Sequence, residues 1–343
     1  MGPTASGKSQ IALDAVRALR SREGADIGDV ELVSVDSMAV YRGMDIGTAK
    51  PSAAVRAEVR YHLVDLVDPD EEFTVTQFQS AARAALAGIA ARGNTALLVG
   101  GTGLYLRSIT DDLEFPGRFP EIRAEIMAEL DTSGPEGTPA RAADCIELHQ
   151  RLESLDPIAA GRIEPGNERR LVRALEVTIG SGRKFSSFGP GLERYPPSRL
   201  ALLGIRRDTD DGDQRIADRF ARLMDAGFLD EVRALARRPG GLSRTARQAL
   251  GYRELLAHLE DGIPLDQAVE EAVRRTCQFA RRQWAWFRRD PRIEWIAVGG
   301  APTEATEAVV ALDAVDGVDA VDAVDAVDAV VARLTRHADG PDR

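Results

Sequence analysis

Residues 2–9 read Gly-Pro-Thr-Ala-Ser-Gly-Lys-Ser, which sets Gly2, Gly7, Lys8 and Ser9 at the spacing G-x-x-x-x-G-K-[ST]. That spacing suits a chain of phosphates. Pro3, Thr4, Ala5 and Ser6 lie between the glycines, where successive backbone N–H groups can curl around phosphate oxygens, and a helix beginning at Lys8 offers its positive N-terminal end. Lys8 supplies compensating charge, and the Ser9 hydroxyl is placed to ligate Mg²⁺. Lys8 is one of only three lysines, with Lys50 and Lys184. The segment predicts a grip on a diphosphate or triphosphate.

Further segments carry candidate chemistry. Asp36-Ser37-Met38-Ala39 opens a run that ends at Lys50-Pro51, and Gly100-Gly101-Thr102-Gly103 forms a second glycine-rich turn. Gln248-Ala249-Leu250-Gly251-Tyr252-Arg253-Glu254 is a third segment. Between Arg274 and Arg292 stand seven arginines (274, 275, 281, 282, 288, 289, 292) against one acid, Asp290. The pairs recur every seven residues, so on a helix they make one basic stripe, with Phe279, Trp284, Trp286 and Phe287 interleaved. A solvated face over an aromatic core is one reading, and with a phosphate loop upstream an RNA or diphosphate contact is the better one.

These groups need a scaffold. Residues 30–35 and 95–99 read as short β-rich runs, and helical patterns occupy 8–20, 75–91 and 104–109. Strands alternating with helices imply an α/β fold whose parallel sheet is covered on both faces. Ligands bind such sheets beyond the carboxyl ends of the strands, where Asp36 and the turn at 100–103 both fall. From 116 to 197 the pattern is almost wholly helical, which reads as an insertion hinged near Pro116 and Pro196-Pro197. A strand at 199–205, helices at 213–223, 229–238, 246–259 and 265–289, and a last strand at 293–298 complete the core. The domains expected are thus a core from 1–115 and 198–300, the insertion 116–197, and a tail 301–343. The Ala-Val-Asp repeat at 313–328 has period three, drifts around a helix, and predicts a disordered or marginally helical extension.

A phosphate loop normally follows a buried strand, and only Met1 precedes Gly2. Without a central strand its neighbours leave N–H and C=O groups unpaired, at roughly 1–3 kcal/mol each. The expectation is that the natural protein carries about ten more residues ahead of Met1, or that the chain is truncated.

Bulk properties exclude several classes. The chain has 343 residues, 44% of them hydrophobic, with no apolar run long enough to cross a membrane and no signal peptide, so a cytoplasmic setting is expected. Cys145 and Cys277 lack metal-ligand spacing, and the four histidines are scattered. The net charge of −11 argues against nucleic acid as a whole-chain property, although the arginine stripe shows that distribution matters more than the sum.

Taken with Tyr61-His62-Leu63-Val64-Asp65 and Arg281-Arg282-Gln283-Trp284-Ala285-Trp286-Phe287-Arg288, these motifs closely resemble the tRNA dimethylallyltransferase family. The resemblance runs from Gly2 to about Ile296. It implies a P-loop NTPase-like parallel sheet core with a mainly helical insertion, acting as a monomer on the anticodon arm of tRNA. It implies transfer of a dimethylallyl group from dimethylallyl diphosphate to N6 of adenine 37 in tRNAs that read codons beginning with U, with Mg²⁺ as cofactor. The segments carried over as tRNA-binding are Asp36, Ser37, Met38, Ala39, Thr102, Arg123, and Arg169-Arg170-Leu171-Val172-Arg173. Two positions depart from the family, which usually has Gln where Ala39 and Arg169 stand.

The residues agree with that implication. An ordinary NTPase ends a strand in a carboxylate for Mg²⁺ and water, whereas residues 95–99 run into Gly-Gly-Thr-Gly. The loop then holds a leaving group rather than a γ-phosphate to be hydrolysed. Adenine N6 is a poor nucleophile and needs a base, for which Asp36 is the candidate, while Lys8 stabilises the departing diphosphate. Asp36 could instead cap a turn or bind Mg²⁺, and Thr102, placed near target nucleotide and diphosphate by resemblance, could serve only its turn. Rivals are an adenine-nucleotide isopentenyltransferase, a P-loop kinase or ATPase, and a non-catalytic RNA-binding protein.

Overall fold

A computed structural model describes residues 1–21, 28–131, 138–189, 191–207, 209–298 and 327–332. The chain forms two compact units. One comprises residues up to Asp111 and resumes at Pro197; the other is Asp112–Pro196.

In the first unit the phosphate loop leads into α1 (Lys8–Arg20), whose Ile11, Ala12, Ala15, Val16 and Leu19 form one buried face. β1 (Val30–Val35) is buried along almost its whole length on both faces, as a strand covered on both sides must be, although Glu31 and Ser34 are polar. After α2 (Ala53–Glu58) and β2 (Tyr61–His62), α3 (Val75–Ala91) begins at a capping box. There the Thr74 hydroxyl accepts the Gln77 N–H, and the Gln77 side chain accepts the Thr74 N–H at 2.9 Å. β3 (Thr95–Gly100) and α4 (Gly103–Thr110) follow. β1 is central, with β2 and β3 parallel on either side, Leu32 opposite Tyr61 and Leu97.

The second unit holds α5 (Pro120–Asp131), α6 (Pro139–Leu155), α7 (Pro157–Ala160) and α8 (Glu168–Ser181). Its core joins Ile126, Leu130, Leu148, Leu152, Leu171 and Leu175.

Back in the first unit, β4 (Leu202–Arg206) leads to α9 (Thr209–Asp225), α10 (Phe228–Ala236), α11 (Arg244–Arg247), α12 (Tyr252–Asp261), α13 (Leu265–Phe287) and β5 (Ile293–Ala297). β5 pairs with β4 in parallel, Gly204 opposite Trp295. The helix expected over 246–259 is broken, because the chain turns left-handed at Gly251 (φ 84°). The strand expected at 199–205 begins later, at Leu202.

The described strands make a three-stranded and a two-stranded sheet, not one continuous sheet. Between them lies a cavity of about 270 Å³, lined by residues 95–99 of β3, residues 200–203, Ile11 and Met1. Met1 continues the ladder along β4: its amino group donates to the Leu203 carbonyl at 2.6 Å, and the Ile205 N–H donates to the Met1 carbonyl at 2.8 Å. Burial pulls the Met1 amine down to about 5, with the nearby Lys8 charge adding to the fall.

Six residues of the tail are described. Residues 327–332 are helical, with Val330 and Val331 buried against the α1 face, because two adjacent apolar side chains suffice to seat one turn. The Ala-Val-Asp repeat at 313–326 lies outside the described residues.

Candidate active site

The phosphate loop is wound tightly. Ala5 and Gly7 take positive φ, 60° and 87°, and Gly7 caps α1 without a side-chain hydrogen bond, which leaves the first-turn N–H groups for a ligand. The Ser6 hydroxyl is buried and has no hydrogen-bond partner, an orphan polar atom inside the loop. Lys8 Nζ donates to the Pro3 carbonyl at 3.1 Å. Burial brings the Lys8 ammonium down to about 8, opposed by Asp36 and reinforced by Arg219.

Three arginines converge on this loop from positions some 200 residues away. Arg207 donates to the Ser6 carbonyl at 3.0 Å, Arg215 to the Ala5 carbonyl at 3.2 Å, and Arg219 to the Thr4 hydroxyl at 3.3 Å. Arg219 is half-buried, and the partial loss of solvent lowers its pKa against the opposing pull of Asp36. The sequence reading missed all three. The available signal was Arg215 and Arg219, four apart and so on one face of α9.

The end of β1 delivers Asp36. Its Oδ1 accepts the N–H groups of Met38 at 2.8 Å and Ala39 at 3.2 Å, while Oδ2 has no hydrogen-bond partner among the described residues. One oxygen closes a turn, and the other is left for a proton donor. The end of β3 delivers Thr102, whose hydroxyl accepts the Ser37 N–H at 3.2 Å and whose own N–H donates to the Val35 carbonyl at 3.3 Å. Thr102 shapes the turn, and its hydroxyl still carries a proton that it can donate.

The segment after Asp36 is pinned from two sides. Glu231 accepts N–H bonds from Asp45, Ile46 and Gly47 at 2.9, 2.7 and 3.2 Å and the Tyr252 hydroxyl at 2.5 Å. Lys50, its amine buried, bonds Asp65 at 2.5 Å and Asp45 at 2.8 Å. Gly251-Tyr252 and Lys50 thus earn their place in the motifs by positioning.

The arginine stripe is not a free basic face. Arg274 pairs with Glu271 at 2.7 Å, Arg275 with Glu254 at 3.3 Å, Arg281 with Asp213, and Arg292 with Asp111 and Asp290 at 2.7 and 2.6 Å. Of the aromatics, Phe287 is buried, and Trp284 packs edge-on against Trp295 at 4.7 Å. The stripe is mostly the solvated, ion-paired side of α13 over its core, with Arg282, Arg288 and Arg289 exposed.

The structure brings residues 2–9, Asp36, Ser37, Met38 and Thr102 into one region of the first unit. Ala39 is 5% exposed, so its side chain packs in the core instead of facing a ligand. Arg123 and residues 169–173 belong to the second unit. Within it, Leu171 and Val172 are 0% and 1% exposed, which corrects the expectation that their side chains touch RNA: they face inward on α8. Arg169 and Arg170 are exposed, and Arg173 is bound to Glu176 at 2.6 Å and to the Pro116 carbonyl at 2.8 Å.

Among the described residues no group of three or more His, Cys, Asp or Glu could hold a metal ion. The exposed Ser9 hydroxyl is a hard oxygen donor of the kind a Mg²⁺ ion takes.

Comparison with known proteins follows these lines. The family model for IPP transferase matches residues 39–290. A tRNA dimethylallyltransferase of Kineococcus radiotolerans is 45% identical over 296 residues, 86% of this chain and 89% of that protein. One from Desulforudis audaxviator is 40% identical over 297 residues, 87% and 90% of the two chains. The crystal structure of a tRNA isopentenylpyrophosphate transferase from Bacillus halodurans superposes with a TM-score of 0.62 at 29% identity, covering 98% of this chain and 95% of that one.

Proposed function

This chain belongs to the IPP transferase family, and from that premise we propose that it transfers the dimethylallyl group of dimethylallyl diphosphate to N6 of adenine 37 in tRNA. The observation that carries this is the free Asp36 Oδ2 within electrostatic reach of Lys8 and Arg219. A carboxylate oxygen without a second task beside a phosphate cradle is what amine alkylation by a diphosphate ester requires.

The diphosphate lies against the loop N–H groups, the Ser6 hydroxyl, Lys8 and Arg219, which compensate charge as the allylic C1–O bond breaks. The N6 lone pair forms the new N–C1 bond, and Asp36 Oδ2 accepts the N6 proton. The products are N6-dimethylallyladenosine in tRNA, diphosphate and a protonated Asp36, which returns its proton to water. The Ser9 hydroxyl would help hold Mg²⁺, which when bound would supply further charge neutralisation of the leaving group. Adenine must leave its stack to present N6, and Thr102, which holds the Ser37 N–H one residue from Asp36, is placed to donate to base or diphosphate. Arg169 and Arg170 are the exposed candidates for RNA phosphates on the insertion. All residues given a bond-breaking role lie in one unit of one chain, which supports a monomer, and tRNA as substrate fits a cytoplasmic reaction.

The test is incubation of the protein with Mg²⁺, dimethylallyl diphosphate and unmodified tRNA, followed by nucleoside mass analysis. N6-dimethylallyladenosine supports the proposal. Prenylation of adenosine monophosphate but not tRNA, or ATP-dependent phosphoryl transfer, supports a rival.

A further inference from the structure

Gln283 sits on α13, 8% exposed, between the loop that leads into α1 and the loop that leaves β3. Its Oε1 accepts the Thr4 N–H of the phosphate loop at 2.8 Å, and its Nε2 donates to the Gly101 carbonyl at 2.7 Å. A Cβ on residue 101 would stand 2.5 Å from Gln283 Nε2 and 3.0 Å from the Gly2 carbonyl oxygen, so only glycine lets the three segments close. From Gly101 the path continues through Thr102 to the Ser37 N–H at 3.2 Å, the residue after Asp36. One amide thus joins the cradle of the leaving group to the loop flanking the base.

We infer that Gln283 is a positioning residue that sets the separation between diphosphate cradle and acceptor side, an assignment that rests on the reaction proposed above. In-line displacement is sensitive to displacements near 1 Å, and two loops carried by separate elements, α1 and β3, need a tie to keep their spacing. The amide suits the task because one end accepts and the other donates in a fixed plane. Leucine would leave the Thr4 N–H and Gly101 carbonyl without their partner. Glutamate keeps the bond from Thr4 but turns an anionic oxygen toward the Gly101 carbonyl, and it can replace the amide only when protonated. Burial beside carbonyl and phosphate oxygens favours that protonated form.

The test is steady-state kinetics of the whole chain and of Gln283→Leu and Gln283→Glu, with dimethylallyl diphosphate and unmodified tRNA, alongside thermal melts. Gln283→Leu is expected to lower kcat by about 10-fold or more, as loss of two buried bonds implies, with the KM for tRNA changed less than about 3-fold. Gln283→Glu should be as poor near pH 8, and its kcat relative to the unsubstituted chain should recover about 5-fold or more on lowering the pH to about 5.5. The pH recovery is the readout a merely structural role would not give, and it decides the matter if Gln283→Leu does not fold. A folded Gln283→Leu with unchanged kcat, or a Gln283→Glu profile parallel to the unsubstituted chain, overturns the assignment. No product from the unsubstituted chain overturns the reaction itself, a distinct failure.

Discussion

The Thr102 hydroxyl accepts the Ser37 backbone N–H at 3.2 Å, which locks the loop after β3 to the loop after β1 one residue from Asp36. A threonine side chain here is both a strut and a donor. Thr102→Val preserves shape but removes the acceptor for Ser37 and the donor for a ligand, so kcat is expected to fall by about 10–100-fold, on the scale of 1–3 kcal/mol for an unsatisfied buried group. Thr102→Ser keeps the oxygen and should retain most of the activity. Steady-state kinetics on the pair checks this.

Lys8 gives a pH dependence with a defined sign. Its folded pKa, about 8, lies below the value near 10.4 of an unfolded chain, so between these values the folded state holds fewer protons. Folding stability from this group is therefore lowest below pH 8 and rises as pH climbs toward the unfolded pKa. Binding follows the opposite course, since the diphosphate needs the ammonium form. kcat/KM for the donor is expected to decline as pH rises through about 8, and diphosphate binding near that pH should take up protons, measurable by calorimetry in buffers of different ionisation enthalpy.

Glu31 gives the acid limb. It is 1% exposed, and its carboxylate is held by Arg92 through two bonds of 2.8 Å, by Asn94 at 2.7 Å and by His62 at 2.6 Å. Those bonds, the Arg92 bonds foremost, hold its pKa down to about 2 against the cost of burial. The stability it contributes is present above the unfolded carboxylate value of about 4.3 and is lost as pH falls toward 2. Glu31→Gln is expected to cost about 1–3 kcal/mol at pH 7 and to flatten the decline of stability below pH 4.5. Urea melts at pH 7 and pH 3.5 measure both.

The cavity between β3 and β4 predicts a gain. Residues 95–99 and 200–203 line it, and the Met1 amine is buried at one end. Five or six apolar β-branched residues fused ahead of Met1 are expected to seat there in parallel register. Replacing the buried amine with a peptide bond and filling the cavity should raise Tm by about 5 °C or more. Unchanged melting, with the added residues open to protease, would count against this.

The regular elements were legible where a local pattern suffices: α1, α3 and β1 show their full lengths through apolar periodicity and caps. β2 has two residues and no periodicity to read. The break at Gly251 was hidden because apolar side chains continue through it, although glycine after Leu250 was the available cue. In the site, contiguous motifs named the phosphate loop, Asp36 and Thr102. Arg207, Arg215, Arg219 and Gln283 act on loops about 200 residues or more away in sequence, and the shared face of Arg215 and Arg219 on α9 does not by itself say which loop that face meets. The arginine stripe misled for the same reason, since its partners Asp213 and Glu254 come from other helices.

Asp36→Asn tests the central claim most directly, compared with the unsubstituted chain in the tRNA prenylation reaction and in tRNA binding. Asparagine keeps the oxygen that accepts the Met38 and Ala39 N–H groups and removes the base. Product formation is expected to fall by about 10²–10⁴-fold while tRNA affinity and Tm stay close to those of the unsubstituted chain. An Asp36→Asn protein that prenylates tRNA at the full rate would contradict proton removal by Asp36.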